Sequence, residues 1–330
     1  MYSRNDIVTH ILKNKNNTPK PASSLCFAPA NIALVKYWGK RNTELNLPIT
    51  SSLSVSLGEF GTKTQVLLSN KDELIINNQK FASNTEAMQR LIKFLDLFRQ
   101  TNNQYFKVEC TSNIPMAAGL ASSSAAFASI VQALNDLYQW QLPMSKLSIL
   151  ARIGSGSACR SLWQGFVKWQ KGKRKDGMDS YATPLAQTWP DLRIGLLICD
   201  SQPKAISSRE AMEITKRTAL CYKLWPQNVK ESMPLVEKAI AEHNFALLGQ
   251  TAEHNALTMH AYMLAAAPTI CYFSPRTIEI FHKIWGLRKE GMNLYFTQDA
   301  GANVKLIFQQ QDAEFLQKTF PEIKIINPFI

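Results

Sequence analysis

Residues 31–48 read NIALVKYWGKRNTELNLP. The apolar run Ile32, Ala33, Leu34 and Val35 has the composition of a buried strand. Tyr37, Trp38 and Gly39 break the run, and Lys36, Lys40 and Arg41 put three cations within six residues. A buried strand that ends in cations aimed at one spot can hold an anion, because charges at a low-dielectric wall attract more strongly than charges in open water.

The chain around this stretch has 330 residues, enough for two domains or one large α/β unit, and 45% of them are apolar. No apolar run reaches the ~18 residues that span a bilayer, so no membrane partner is expected. Residues 1–24 are polar, rich in Lys and Asn, and carry only scattered apolar residues, which reads as a flexible leader and not as a signal peptide. Six cysteines (Cys26, Cys110, Cys159, Cys199, Cys221, Cys271) lie far apart without a CxxC pair, pointing to reduced thiols and a cytoplasmic protein. The five histidines contain no HExxH, and His254 and His260 do not share a helical face, so a zinc site is not expected. The net charge of +12 would suit nucleic acid, a solvated surface or a cleft for small polyanions. Its densest cluster, KWQKGKRK at 168–175, reads as an exposed hairpin tip. No nucleic-acid-binding motif occurs, and no nucleic-acid partner is expected.

Periodicity divides the chain further. Residues 64–68 and 73–77 read as strands, and 86–100 as a helix with Met88, Leu91, Ile92, Leu95 and Phe98 on one face. Alternation of Phe106, Val108 and Cys110 marks a strand at 105–111. Phe127, Ile130, Val131, Leu134 and Leu137 mark a helix at 121–138. Strands at 166–170 and 181–184 flank the basic turn. The stretch 184–192, with Pro184 and Pro190, is the expected domain boundary. After it come a strand at 193–199, helices at 208–220, 229–242, 244–262 and 275–289, and strands at 294–297, 304–308 and 322–326. Hairpins without regular βαβ alternation favour an α+β fold. The expected division is a leader 1–24, an N-terminal domain 25–187 and a C-terminal domain 188–330.

Two further segments can handle anions, and two more carry candidate site residues. Residues 113–126, NIPMAAGLASSSAA, follow a strand and open a helix; small residues allow close backbone approach, and the helix start offers free N–H groups and a positive dipole end to phosphate. A small-residue helix packed on a sheet with serine caps explains the same composition. No GxxxxGK[ST] occurs, so this is not a Walker loop. Residues 151–169, ARIGSGSACRSLWQGFVKW, alternate Ser155 and Ser157 with glycines and add Arg160, whose guanidinium can grip a carboxylate through two hydrogen bonds; a glycine turn beside a surface arginine is the plainer alternative. Residues 206–212, ISSREAM, read physically as a Ser-capped helix start. In 295–304, YFTQDAGANV, Asp299 stands between a strand and a small-residue turn, where either a catalytic carboxylate or a turn-forming Asp fits.

Segment 113–126 resembles the P-x-x-x-G-L-x-S-S motif of the GHMP kinase superfamily, and the other three, with 31–48, narrow the resemblance to the diphosphomevalonate decarboxylase family. It extends over about residues 28–308 and implies a GHMP-kinase-like two-domain α+β fold with an active-site cleft between the domains. It further implies ATP-dependent decarboxylation of 5-diphosphomevalonate to isopentenyl diphosphate, with ATP and Mg²⁺ as cofactors and a homodimer as the assembly. The implied catalytic residues are Asp299, Arg160 and Lys36. The implied substrate contacts are Tyr37, Lys40, Ser155, Ser157, Arg160, Ser208, Arg209 and Met212. The implied ATP-phosphate loop comprises Pro115, Ala118, Gly119, Leu120, Ala121, Ser122 and Ser123, with Ser122 as a Mg²⁺ ligand. The chain departs from the family pattern at Ala211, where glycine is usual, at Gln298 for an aromatic, at Ala302 for proline, and at Glu73 for an arginine associated with ATP. A kinase that stops after phosphorylation and a decarboxylase acting on a monophosphate are the alternatives within the same fold.

Overall fold

The computed structural model describes residues 2–15, 18–19, 25–101, 103–114, 122–202 and 204–329, with Ser122 described by its backbone alone. The apolar run that opens the sequence analysis lies in β1 (Cys26–Val35), which is buried from Ala28 onward. It is buried so continuously because it pairs along β4 (Ser52–Ser69) while helices α3 (Ser122–Leu137) and α7 (Phe245–Leu264) pack on it. β2 (Lys40–Asn42) and β3 (Leu47–Pro48) form a small ribbon between them.

β4 organises the first sheet. Its start pairs with β8 (Phe166–Trp169), which continues to β9 (Ala182–Pro184), and its end pairs with β7 (Tyr105–Ser112). β5 (Glu73–Ile76) lies parallel to β7 and carries β6 (Gln79–Lys80) at the edge. Gly61 lets β4 lie close against β1: a Cβ there would sit 2.2 Å from the Ala28 carbonyl oxygen. The second sheet is antiparallel, in the order β11 (Tyr295–Gln298), β12 (Val304–Gln309), β10 (Leu192–Leu197), β13 (Lys324–Ile326). This alternation of hairpin strands with helices is the α+β architecture expected from the sequence.

The remaining helices are α1 (Arg4–Leu12), α2 (Glu86–Leu95), α4 (Met144–Gly154), α5 (Ser208–Thr218), α6 (Trp225–Ala241), α8 (Pro275–Lys289) and α9 (Ala313–Thr319). α2, α3 and α4 cover the first sheet with Leu91, Phe94, Phe127, Leu134 and Leu150. α8 covers the second with Phe281 and Ile284, against Phe296 and Phe308. A third core joins the two halves: Leu34, Val35 and Leu53 of the first sheet, Ile194 and Ile307 of the second, and Trp225, Val236 and Leu248 of α6 and α7 bury one another. Apolar burial across that seam fixes one half against the other.

Residues 1–24 do not read out as a plain leader. They contain α1, whose Ser3 and Asp6 form a capping box and whose Ile7, Val8 and Ile11 are buried with the α2–α4 core. The composition conceals it because three apolar residues make one narrow stripe on an otherwise polar helix. β4 also starts well before residue 64: both of its faces are buried from Ser52 to Leu57, with Leu53, Val55 and Leu57 on one and Ser52, Ser54 and Ser56 on the other. Ile7→Ala is expected to cost about 2–4 kcal/mol in urea unfolding, the range for truncating a packed aliphatic side chain; a loss below about 0.5 kcal/mol would mean that α1 does not contribute to the core.

Candidate active site

A cavity of about 1320 Å³ is lined by the end of β1, the start of α3, the turn after α4, the start of α5 and the turn between β11 and β12. Every described residue implicated by the sequence lines it: Lys36, Tyr37 and Lys40; Ser123; Ser155, Ser157 and Arg160; Ser208, Arg209 and Met212; and Asp299. Pro115, Ala118, Gly119, Leu120 and Ala121, and the Ser122 side chain with its expected metal role, lie outside the described residues.

The end of β1 is fixed from α7. The Lys36 backbone N–H donates to Asn255 Oδ1 at 2.8 Å, and Asn255 is itself held by donating to Asn228 Oδ1 at 2.9 Å. Lys36, 2% exposed, then extends its ammonium to Asp299 Oδ1 at 2.8 Å. A second ammonium, Lys305 of β12, lies 3.6 Å from Asp299 Oδ2 and is 1% exposed. Burial alone would raise the Asp299 carboxyl, but Lys36, Lys305 and Lys204 outweigh it and hold the group well below the usual carboxylate range. The magnitudes agree with that balance: each nearby cation is worth about 4 kcal/mol at an effective dielectric of ~20, and 28% of the Asp299 side chain remains in contact with solvent, which limits its desolvation cost. Burial also draws the Lys36 ammonium down; Asp299 opposes that shift, while Lys305 and Arg160 add to it.

The turn that carries Asp299 is held at each of its carbonyls. His260 Nε2 donates to the Asp299 carbonyl at 3.1 Å, Lys204 to that of Ala300, Gln298 Nε2 to that of Gly301 at 2.8 Å, Thr277 Oγ1 to that of Ala302 at 2.8 Å, and Lys305 to that of Asn303 at 3.1 Å. A carbonyl only accepts, so His260 carries its hydrogen on Nε2. Burial pulls His260 down to about 3, and it is neutral at neutral pH. His260, Thr277, Lys204 and Lys305 are functional neighbours that the sequence reading did not identify. Gln298 and Ala302 also find their explanation here: the Gln298 amide braces the turn, Nε2 reaching the carbonyls of both Gly301 and Ala302.

The serine-glycine segment forms a 3₁₀ turn, Gly156–Arg160, directly after α4. Small residues are required because a Cβ at Gly154 would come 2.4 Å from the Phe127 ring and one at Gly156 2.8 Å from the Tyr37 hydroxyl. Ser157 Oγ lies 2.5 Å from Ser124 Oγ, which ties the turn to the first turn of α3. Arg160 is 3% exposed and donates to Ser52 Oγ and Asn31 Oδ1, with its guanidinium 5.9 Å from the Trp169 ring centroid. No Asp or Glu among the described residues forms a salt bridge with it, so a buried guanidinium faces the cavity without a counter-ion. The buried Tyr37 hydroxyl, also on the cavity, has no hydrogen-bond partner among the described residues. Both want a polar ligand, since unpaired buried polar groups are costly.

Further along the wall, Lys40, Arg209 and Arg90 face one another. Burial, and then the Arg209 charge, bring Lys40 down to about 8. Arg90, on α2, is a cavity residue that only its place in the fold reveals. Ala211 is fully buried inside α5, whose Ala211 N–H bonds to the Ser207 carbonyl in regular helical fashion, so the usual glycine is not needed there. Glu73 pairs with Lys80 at 2.6 Å and does not line the cavity. Among the described residues, six cations (Lys36, Lys40, Arg90, Arg160, Lys204, Arg209) face three carboxylates (Glu86, Asp200, Asp299) around the cavity. That surplus, with the N-terminal ends of α3 and α5, suits polyanions. No group of three His, Cys, Asp or Glu residues able to hold a metal ion occurs among the described residues. The hydroxyls and carboxylates on the wall instead fit a Mg²⁺ that keeps waters and phosphate oxygens as most of its ligands. No helix of the described residues is long and apolar enough to cross a membrane.

Residues 28–182 match the diphosphomevalonate decarboxylase-like N-terminal domain, and residues 194–327 the mevalonate 5-diphosphate decarboxylase C-terminal domain. Diphosphomevalonate decarboxylase mvd1 of Aspergillus fumigatus is 35% identical over 321 residues, 90% of this chain and 79% of the relative. The crystal structure of mevalonate diphosphate decarboxylase from Staphylococcus aureus superposes with a TM-score of 0.86 at 33% identity, over 92% of this chain and 95% of that one. A structure of MDDEF in complex with MVAPP, AMPPCP and magnesium gives a TM-score of 0.85 at 36% identity, over the same shares of 92% and 95%. Two domain matches that span most of the chain, full-length relatives and the closely superposing folds agree: this chain belongs to the diphosphomevalonate decarboxylase family.

Proposed function

We propose that this chain decarboxylates 5-diphosphomevalonate in an ATP-dependent reaction, releasing isopentenyl diphosphate, ADP, phosphate and CO₂, as a step of the mevalonate route to isoprenoids. The observation that carries this reading is the joint presence in one cavity of the Asp299–Lys36 pair and the buried Arg160, which donates to Ser52 and Asn31 but forms no salt bridge among the described residues. The substrate brings a tertiary hydroxyl, a carboxylate and a diphosphate, and each has a counterpart on the wall.

Asp299 orients the tertiary hydroxyl toward the nucleotide and receives its proton as phosphoryl transfer proceeds. Its clamped carboxylate is a weak base at rest. Lys36 is shared between Asp299 and the phosphoryl in transit, and its pull on Asp299 slackens as it turns to the phosphoryl oxygens, so basicity rises when the proton must move. Arg160 grips the substrate carboxylate through paired hydrogen bonds and holds the C–C bond in line. As the new phosphate leaves and positive charge grows at C3, cleavage of that bond supplies the electrons and frees CO₂. Ser155, Ser157 and the Tyr37 hydroxyl supply hydrogen bonds to the carboxylate end of the substrate. Lys40, Ser208 and Arg209, with Arg90, hold the diphosphate; Met212 packs on the carbon skeleton. The loop residues Pro115, Ala118, Gly119, Leu120, Ala121, Ser122 and Ser123 would bind the ATP phosphates, and Ser122 would help to hold Mg²⁺, which would supply charge neutralisation.

A kinase ending at the phosphorylated product has no use for a guanidinium buried without a counter-ion, and Arg160 therefore favours full decarboxylation. A division near residue 187, with α1 packed onto the first domain, is supported by the prolines at 184 and 190, a cytoplasmic location by the scattered cysteines, and a homodimeric assembly by the family resemblance.

Incubation with 5-diphosphomevalonate, ATP and Mg²⁺ should yield isopentenyl diphosphate and CO₂ in equal amounts; ADP release without CO₂ would support the kinase instead. Asp299→Asn should leave substrate affinity within about tenfold and lower turnover roughly 10³-fold or more; near-normal turnover would reject its role. Arg160→Gln should slow CO₂ release relative to ADP release, whereas equal, unsubstituted rates would exclude the clamp. Lys40 sheds its proton as pH passes about 8, so the cation facing the diphosphate is present below that value and lost above it. Accordingly kcat/KM should fall on the alkaline side, and Lys40→Met should lower kcat/KM by roughly tenfold or more and lack that limb; an unchanged alkaline limb in Lys40→Met would assign it elsewhere.

A further inference from the structure

Lys305 is out of character for its strand. Its neighbours on β12, Val304, Leu306, Ile307 and Phe308, are buried and apolar, and Lys305 is as buried as they are. An ammonium withdrawn from water costs several kcal/mol, and an aliphatic residue in the same place would not incur that cost. Its position opposite Thr297 on β11 puts Nζ beneath the Asp299 turn, 3.1 Å from the Asn303 carbonyl oxygen and 3.6 Å from Asp299 Oδ2. Unlike Lys36, it does not line the cavity. Asp299 thus has one lysine on the ligand side, bonded to Oδ1, and one behind it, facing Oδ2.

We propose that Lys305 is a positioning residue: from behind the turn it ties Asp299 Oδ2 to the backbone, keeps the carboxylate charged, and leaves Oδ1 free to serve the cavity. The inference rests on the activity proposed above and goes beyond it by explaining why two lysines are needed. Without Lys305 the carboxylate would lose its only ion-pair partner each time Lys36 turned to a phosphoryl group, since Lys204 acts on it only from beyond ion-pair distance. With Lys305 in place, Lys36 can be shared and Asp299 neither rotates nor takes a proton from bulk water. The other groups facing this cluster do not replace Lys305. Lys204, from the loop before α5, is engaged with the Ala300 carbonyl; His260, from α7, bonds to the Asp299 backbone and is neutral; Arg160 stands across the cavity on Ser52 and Asn31; and the nearby Cys199 thiol is pushed up by burial and uncharged.

The test compares Lys305→Met, Lys305→Arg and the double variant Lys305→Met/Asp299→Asn with the unsubstituted enzyme. Lys305→Met should lower kcat by about 30-fold or more while KM for both substrates stays within about threefold. The acid limb of its kcat profile should move to higher pH, because Asp299 protonates more readily without the rear cation. Lys305→Arg, which restores the charge, should recover most of the loss. In the Asp299→Asn background, Lys305→Met should add less than about twofold, since it acts through Asp299. A kcat within threefold of normal, an unmoved acid limb, or a full additive loss in the double variant would each overturn the proposal. If Lys305→Met does not fold, Lys305→Gln, which keeps a donor for the Asn303 carbonyl and drops the charge, makes the same comparison. Carboxyl ¹³C NMR of Asp299 without substrate separates this inference from the activity itself: its titration should move up in Lys305→Met and Lys305→Gln, but not in Lys305→Arg, even if the enzyme acted on another substrate, and an unchanged titration in Lys305→Met would refute the role of Lys305 alone.

Discussion

A carboxylate between two buried ammonium groups is stable only if all three are fixed, and this requirement shapes the fold around Asp299. Lys36 comes from the end of β1, Lys305 from β12, and the carboxylate from the turn between β11 and β12. Segments more than 260 residues apart must therefore meet to within 2.8 Å. The apolar seam formed by Leu34, Val35, Ile194, Ile307 and the helices α6 and α7 supplies the rigidity for that meeting. α7 acts as the common brace: its Asn255 holds the Lys36 backbone and its His260 holds the Asp299 backbone, one helix setting both members of the pair. Placing the reactive groups on braced backbone reduces the reorganisation needed at the moment of reaction.

The same cavity carries an electrostatic excess that a free protein would not favour. Six cations facing three carboxylates repel one another, and burial brings Lys40 down to about 8. Polyanionic ligands relieve that repulsion, and by linkage they stabilise the folded chain. Specificity then comes from geometry more than from charge. Arg160 offers a planar fork and the Tyr37 hydroxyl a single bond, while Lys40 and Arg209 add cations farther along the wall, and the proposed substrate would place its carboxylate at the first and its diphosphate at the second.

Much of this was legible in the sequence because local patterns carried it. The strands of the second sheet show apolar runs, α2 and α3 show helical spacing, and the strand-cation, Ser-Gly-Arg and Asp-Ala-Gly segments stand out by composition. What escaped were features without local signature. α1 exposes too narrow an apolar stripe, and one of the two buried faces of β4 is built from serine and threonine. Arg90 reaches the cavity, and Lys305, His260 and Thr277 reach the turn that carries Asp299, only through long-range packing. Gln298 and Ala302 appeared as departures from a family pattern, and the hydrogen bonds from the Gln298 amide to the carbonyls of Gly301 and Ala302 show how the turn is kept with that pair.

The account stands or falls on where the tertiary hydroxyl is held. The most direct measurement is a crystal structure of this protein with 5-diphosphomevalonate, a non-hydrolysable ATP analogue and Mg²⁺. The expected complex has the hydroxyl within hydrogen-bond reach of Asp299 Oδ1, Lys36 turned toward the terminal phosphoryl group, and the carboxylate on Arg160. A complex in which the hydroxyl points away from Asp299, or in which the diphosphate and not the carboxylate occupies Arg160, would contradict it.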